Sequence, residues 1–556
     1  MNTLRNPLRT ALAASLLLAA ASCLAQSPPL AVNLTVDAGK RAGELRPIWR
    51  FFGTDEPNFI TMKDGRKLMG HLGELSPGNV YFRAHSLLTS GDGTPAFKWG
   101  STNAYTEDKD GKPVYDWTVV DRLIDSQLAR GVRPYLQLGF MPEAMSSAPP
   151  GTPYQHSWRP GFAYELIAGG WTAPPKDYAK WEELAYQWTR HNLARYGREE
   201  LKKWYFEVWN EPNSKFYWTG TPQQFYELHD RAIAGIRRAF PEARVGGPDV
   251  AGPGGTFMDG FLKHVVDKGT PTDFLSFHAK GSPRFVDGHV RMGIANHLKE
   301  VDRGFAKIAA VPRLKSTPIV IGESDPEGCA ACPGPQNAYR NGTMYSSYTA
   351  ASFARIWQLA GRHGVNLDGA LTWAFTFEDQ PWFAGYRQLA SNGVDLPVMN
   401  MFRLFARLDT DSVSATSDAQ VALDDMLAGG VRGAPDVGVM ATRGANGRVS
   451  VLAWHYHDDD VPGPDADVTL QLHGLGAAVS RKVTQWRIDQ TNGNAFAAWK
   501  AMGAPQSPGL NQYQALEAAS RMQPASLAPL AVAKGSGALR FALPRQGVTL
   551  LVIEAP

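Results

Sequence analysis

The 556-residue chain is 44% hydrophobic and 20% charged, ordinary globular proportions with apolar material for more than one core. Lys and Arg total 56 against 53 Asp and Glu, so the formal net charge is only +3. That balance lacks the basic excess of a nucleic-acid binder or a membrane-surface protein, and a neutral, soluble partner such as a sugar fits better.

Arg5 and Arg9 precede an apolar run from Ala11 to Ala21, followed by small residues. Residues 1–25 therefore read as a secretory signal peptide cut after Ala25, which predicts a periplasmic or secreted protein. Lipid attachment at Cys23 is the weaker alternative, because Ala20-Ala21-Ser22 poorly matches the usual Leu-led box. Losing the segment's two arginines leaves a net charge of about +1. No later apolar run approaches the ~18 residues of a membrane span. Within residues 26–45, Leu30 to Val36 reads as a strand lent to a C-terminal sheet.

Over residues 46–400, short apolar runs alternate with helical patterns. Val120, Leu123, Ile124 and Leu128 recur at helical spacing, with Thr118 and Asp121 as starting acceptors and Gly131 as the stop. Pro134 to Phe140 follows as a strand. Trp181, Leu184, Ala185, Trp188 and Tyr196 stripe a helix before the strand Trp204 to Trp209. Phe225, Leu228, Ala232, Ile236 and Phe240 stripe another before Arg244 to Gly247. Further strands are expected at Trp49–Phe52, Asn79–Arg83, Asp273–Phe277, Pro318–Ile321 and Leu367–Thr372. Eight alternating units predict an α/β fold, a (β/α)8 TIM barrel.

Residues 401–556 change rhythm. Val437–Arg443 and Arg448–Tyr456 flank Asn446-Gly447, a hairpin signal. Val468–Leu472, Val483–Ile488, Leu539–Leu543 and Val548–Ile553 add short strands, so a C-terminal antiparallel β-sandwich is expected. It would brace the barrel; the alternative is an independent carbohydrate-binding module.

Chemistry in such barrels comes from the C-terminal ends of strands. Two strands end in a carboxylic acid where the turn begins: Trp204-Tyr-Phe-Glu-Val-Trp-Asn-Glu211-Pro-Asn and Pro318-Ile-Val-Ile-Gly-Glu323-Ser-Asp-Pro. Glycoside cleavage needs one protonated acid to serve the departing oxygen and one ionised acid to attack the sugar carbon. Either Glu alone could be a rim salt-bridge partner; an Asn-Glu-Pro directly after an aromatic strand argues for the chemistry.

The chain resembles glycoside hydrolase family 39 over nearly all of its length beyond residue 25. The resemblance rests on Phe52-Gly-Thr-Asp-Glu-Pro-Asn58, Arg83-Ala-His85, Leu138-Gly-Phe-Met-Pro142, Val208-Trp-Asn-Glu-Pro-Asn213 and Gly322-Glu-Ser324. Trp486-Arg-Ile-Asp489 and Asn494 to Gln506 resemble its bacterial β-xylosidase branch. The resemblance implies that Glu211 is the acid/base and Glu323 the nucleophile of a retaining exo-glycosidase. A β-D-xylosidase releasing xylose from xylo-oligosaccharides by double displacement is the first expectation, with neither cofactor nor metal required. Alternatives are an α-L-iduronidase-like or arabinose-releasing enzyme of the family, or a non-catalytic carbohydrate-binding protein.

Among expected substrate-binding residues, Asn210 would meet the sugar 2-hydroxyl, or else cap a turn. His85 and His278 end predicted strands and would bind hydroxyls or the nucleophile, core histidines being the plainer reading. Trp373, at the end of the last strand, offers a sugar-stacking face. Glu378 falls where the family binds hydroxyls, and Glu207 reads as structural. Relatives commonly carry an aromatic two residues after the strand-six histidine, whereas this chain has His278-Ala-Lys280. Lys280 could bind a hydroxyl, pair with an acid, or favour a carboxylate-bearing sugar.

Asp108-Lys-Asp110-Gly111 lacks the ligand run of a calcium loop and reads as a hairpin turn. Cys329 and Cys332 form a lone Cys-Ala-Ala-Cys, read as a loop staple or two free thiols. A monomer is favoured over an oligomer.

Overall fold

The computed structural model describes residues 28–95, 102–152, 154, 169–332, 334–477 and 479–555. The signal-peptide reading and Cys23 lie outside them. Strand β1 (Leu30–Glu44) precedes the barrel strands β2 (Phe51–Thr54), β3 (Val80–Ala84), β4 (Val132–Gln137), β5 (Tyr205–Glu207), β6 (Arg244–Val250), β7 (Phe274–Lys280), β8 (Ile319–Asp325) and β9 (Leu367–Ala370). Strands β2 to β9 form one eight-stranded sheet in sequence order, with parallel pairing throughout. Thr372 closes the ring: its N–H donates to Phe51 at 3.0 Å, and its carbonyl accepts from Gly53 at 3.2 Å. The fold is a TIM barrel.

Several strand bounds differ from the sequence reading. β7 and β8 run on to Lys280 and Asp325, because Glu323 still pairs with His278 and Asp325 with Lys280. β9 stops at Ala370, three residues before Trp373. Helix α1 (Lys63–Leu75) follows the first barrel strand, and α2 (Thr118–Leu128) starts where expected with a different cap. Asp116, not Thr118 or Asp121, accepts the Thr118 N–H at 2.9 Å, while Asp121 pairs with His191 at 2.8 Å. Helix α3 (Tyr178–Tyr196) is capped by Asp177, and α4 (Pro222–Ala239) by a Thr221–Gln224 capping box. The segment Asp108 to Lys112 is a hairpin turn in which Asp108 accepts the Asp110 and Lys112 N–H groups at 2.9 Å.

The barrel's interior is layered. Its lower half is aromatic: Tyr135 stacks on Tyr205 at 4.9 Å, and Phe51 on Tyr81 at 5.0 Å. Above this layer the residues turn polar and charged, with Arg83, Gln137, Glu207, Asp249 and Ser276 fully buried.

Strands β10 (Asp411–Ser417), β11 (Asp436–Arg443), β12 (Val449–Tyr456), β13 (Ala466–His473), β14 (Val483–Ile488), β15 (Ala525–Ser526), β16 (Gly537–Leu543) and β17 (Val548–Ile553) build the second sheet. Its order is β15-β14-β17-β12-β11-β10-β1-β13-β16, and only β1 and β13 pair in parallel. β12 shows how one strand serves two cores. Leu452, Trp454 and Tyr456 join the barrel's apolar cluster, whereas Val449, Val451 and Ala453 alternate into the sandwich's own. Helix α5 (Thr343–His363) supplies the barrel side of this seam, where Arg355 pairs with Asp436 at 3.0 Å.

Candidate active site

Strands β3, β5, β6, β7 and β8 deliver their charged residues to the same end of the barrel. The Asn210-Glu211-Pro-Asn213 turn follows β5 and is stitched to the neighbouring strand. Glu211 N donates to Asp249 O at 2.8 Å, and Asn213 exchanges 2.8 and 3.0 Å hydrogen bonds with the Ala251 backbone. Both Glu211 (φ 46°) and Asp249 (φ 57°) adopt left-handed backbone conformations, rare for non-glycine residues and concentrated at functional sites.

Two register shifts aim the opposite side. β8 is irregular at Gly322 and β6 at Asp249, and the two irregularities face each other. A Cβ on Gly322 would collide with the Asp249 carboxylate and crowd the Arg83 guanidinium, so only glycine lets this acid and base approach the β8 backbone. The next residue, Glu323, is thereby turned inward.

Arg83 is the hub. Fully buried, it donates through Nη1 to Asp249 and, at 3.3 Å, to Glu207, and through Nη2 to Asn210 at 3.2 Å and Glu323 at 3.1 Å. Burial opposes its charge, but Asp249, Glu207 and Glu323 outweigh that and raise its pKa. Glu207 also accepts from Tyr135, Gln137 and Ser276 at 2.8, 3.0 and 2.7 Å. Burial and the Asp249 charge push Glu207 up to about 8. Fully buried beneath the acids and held by Arg83, Tyr135, Gln137 and Ser276, Glu207 is placed as a structural acid.

His278 joins the two candidate catalytic acids. Its Nδ1 lies 2.8 Å from Glu211 Oε1 and 3.9 Å from Glu323 Oε2, and its Nε2 lies 3.0 Å from Asp249 Oδ2. Burial works against an imidazolium here, yet Asp249 and Glu323 raise its pKa to about 10. Both ring nitrogens therefore carry a proton, Nδ1 donating to Glu211 while Nε2 faces the Asp249 charge. Because one nitrogen neighbours both acids, those two carboxyl oxygens are at most about 7 Å apart, a bound that admits the ~5–5.5 Å of retaining glycosidases and excludes most of the ~6.5–9.5 Å range of inverting ones.

Glu323 is 7% exposed at its side chain, against 19% for Glu211. It is ringed by cations: Arg83 on Oε1, Lys280 hydrogen-bonded to Oε2, and His278 beyond. Burial alone would raise its pKa; Lys280 and His278, with help from His85 and Arg83, hold it well below the usual carboxylate range. It is ionised, as a nucleophile must be.

His85, just past β3, bonds Gln137 through Nδ1 and places Nε2 3.3 Å from Asp55 and 3.7 Å from Glu323. Trp373 lies over Arg83 at 4.7 Å and beside the His85 ring at 4.3 Å, and Gly53 leaves room for its six-membered ring. The Trp373 backbone N–H donates to Asp325, which also binds Lys280 at 2.8 Å. Thus Asn210, His85, His278, Lys280 and Trp373 all gather around the acids. Glu378 instead caps α1, its Oε2 accepting the Asp64 and Gly65 N–H groups at 3.0 and 3.2 Å. A cavity of about 600 Å³ opens beside Glu211, lined also by Lys280, Glu300 and Phe257.

Sequence reasoning misses Asp249, Gln137 and Asp325, and reaches Arg83 only as part of a motif. An arginine in the apolar run Val80-Tyr-Phe-Arg83-Ala is itself a signal, since a buried guanidinium demands acids around it. Cys329 and Cys332 are disulfide-bonded, and Arg340 Nη1 donates to Cys332 O at 2.9 Å.

The model of glycosyl hydrolases family 39 matches residues 32–537. A β-xylosidase from Geobacillus stearothermophilus is 27% identical over 500 residues, 86% of each chain. One from Caldicellulosiruptor saccharolyticus is 25% identical over 507 residues, 88% of this chain and 92% of the relative. The crystal structure of a monomeric β-xylosidase from Caulobacter crescentus CB15 shares the fold, with a TM-score of 0.73 at 24% identity, covering 94% of this chain and 99% of that one.

Proposed function

The chain belongs to glycoside hydrolase family 39, and from that premise we propose that it is a retaining exo-acting β-D-xylosidase with Glu211 as acid/base and Glu323 as nucleophile. The observation that carries the reading is the single His278 nitrogen in reach of both acids. In the first step a Glu323 oxygen bonds to the anomeric carbon as the glycosidic bond breaks, and Glu211 protonates the departing oxygen. In the second, Glu211 takes a proton from water, the water oxygen bonds to the anomeric carbon, and the electron pair of the ester bond returns to Glu323. His278 holds Oε1 of Glu211, leaving Oε2 to carry the proton. Arg83 binds Asn210 and Glu323 through one nitrogen and so fixes the 2-hydroxyl ligand relative to the nucleophile. Trp373 would carry the apolar face of the sugar.

The relatives named β-xylosidase, matched over most of both chains, support xylose as the sugar. Turnover of nitrophenyl xyloside, arabinoside and iduronide tests this, with NMR of the first-released anomer. Xyloside hydrolysis with retention is expected, and no turnover of the xyloside would defeat the assignment. Relatives named α-L-iduronidase, such as the one from Homo sapiens at 25% identity over 412 residues, support a second reading, a carboxylate-bearing sugar, for which the iduronide would lead. Residues 1–25 support export with cleavage after Ala25, which the intact mass of the exported protein tests.

A further inference from the structure

Lys280 is the cation in closest contact with Glu323, yet the two-step reaction described above does not use it. Its ammonium lies between two carboxylates, hydrogen-bonded to Glu323 Oε2 and, at 2.8 Å, to Asp325 Oδ2. Asp325 is itself anchored by the Trp373 backbone N–H at 3.0 Å and by Arg387 at 3.5 Å. The lysine side chain is only 14% exposed. A cation held this way has little charge left for a substrate group, and any change of charge on Glu323 is felt at Nζ.

We propose that Lys280 is a positioning residue that sets the balance between the two half-reactions, restraining Glu323 as a nucleophile and improving it as a leaving group. This rests on the reading of Glu323 as nucleophile. When Glu323 attacks, its carboxylate becomes a neutral ester and the ion pair with Lys280 is lost. When water opens the ester, the electron pair returns to the carboxylate and the pair re-forms. The ammonium therefore stabilises the state before glycosylation and the state after deglycosylation. It slows the first step and speeds the second.

Other charges act on the same group. His278 shares β7 with Lys280; Arg83 and His85 face Glu323 from β3; Asp249 and Arg387 act at longer range; Asp325 is on its own strand; and Glu211 shares His278. Removing Lys280 leaves Arg83 and His278 in place, so Glu323 stays ionised at neutral pH and only its acid limb moves.

The test is pre-steady-state hydrolysis of dinitrophenyl β-xyloside by the intact protein, alongside its Lys280→Met and Lys280→Arg variants. For Lys280→Met, the acid limb of kcat/KM should rise by about one pH unit, and the covalent intermediate should break down ~10-fold more slowly. A dinitrophenol burst near one equivalent per enzyme should then appear. Lys280→Arg should restore the limb. An unmoved limb and burst in Lys280→Met would overturn the proposal, as would a rise in KM alone, which would mark a substrate contact. Should Lys280→Met not fold, Lys280→Gln decides by the same limb and burst. In the unmodified protein, trapping by a 2-fluoro-xyloside should remain fast below the ordinary glutamate pKa of about 4.3, and a limb at or above that value overturns the proposal. A label on any residue other than Glu323 brings down the mechanism itself, a distinct outcome.

Discussion

His278 Nδ1 donates to Glu211 Oε1 at 2.8 Å, and the imidazole making this bond stays protonated to a pH of about 10. Glu211, the proposed proton donor, is therefore held by a group whose charge is constant around neutral pH. Replacing His278 with Gln removes the charge and the second contact to Asp249. We expect kcat to fall ~10²-fold. The loss should be greater for alkyl xylosides, which need the proton, than for dinitrophenyl xyloside, which does not. Equal losses on both would place the effect outside proton transfer.

Glu211→Gln should lower turnover of poor leaving groups by ~10²–10⁴-fold while sparing the formation of glycosyl-enzyme from dinitrophenyl xyloside. Glu323→Ala should abolish turnover of every substrate. Steady-state rates over a leaving-group series check both, and full activity in Glu323→Ala would refute the nucleophile.

Arg83 pairs with three buried acids at once, of which Asp249 and Glu323 are ionised at neutral pH. Arg83→Met should leave those two without their shared cation and cost about 3–5 kcal/mol of stability, the usual penalty for breaking a buried pair. Denaturant unfolding at pH 7 measures it, and an unchanged unfolding midpoint would contradict it.

Gly53→Ala probes the platform at a distance from the acids. The added methyl meets the Trp373 ring on one side and lies 2.8 Å from Arg83 O on the other. Overpacking of this kind costs about 1–3 kcal/mol, and the ring must shift from Arg83 and His85. Activity should fall more than stability predicts, with KM rising; unchanged kinetics would remove Trp373 from the site.

Asp458 gives the seam between barrel and sandwich a pH dependence. It accepts Tyr456 Oη at 2.6 Å and Val431 N at 2.9 Å, and burial raises its pKa from 3.8 to about 7. A folded-state pKa above the unfolded one means the associated stability is complete below pH ~4 and is lost as pH rises through about 7. Asp458→Asn cannot titrate, and its single amide oxygen can still accept from Val431 N while its NH2 turns to Tyr456 Oη, so it should flatten that decline. Melting temperatures between pH 4 and 8 check it, and parallel curves would contradict it.

The eight barrel units are legible in the sequence because each pairs an apolar run with a 3.6-residue stripe, and both acids are legible because each ends such a run. The charged lattice beneath them is not. Arg83, Asp249 and Asp325 are single residues on three strands whose meeting depends on barrel closure and on register shifts at Gly322 and Asp249, which no local pattern announces. Glu378 shows the converse: its place in the chain suggests sugar binding, but a helix terminus more than 300 positions away takes its carboxylate.

Strand β1 lies between β10 and β13 in the second sheet, and Asn33 bonds Asp418 across 385 positions of sequence. This strand and its two sheet neighbours are separated in sequence by the whole barrel, so Val32, Leu34 and Val36 find their apolar partners only through a contact of very long range. The sheet cannot close before β10 and β13 reach β1. Such pairing is intrinsically slow, and until it forms β1 offers an unpaired edge to wrong strands.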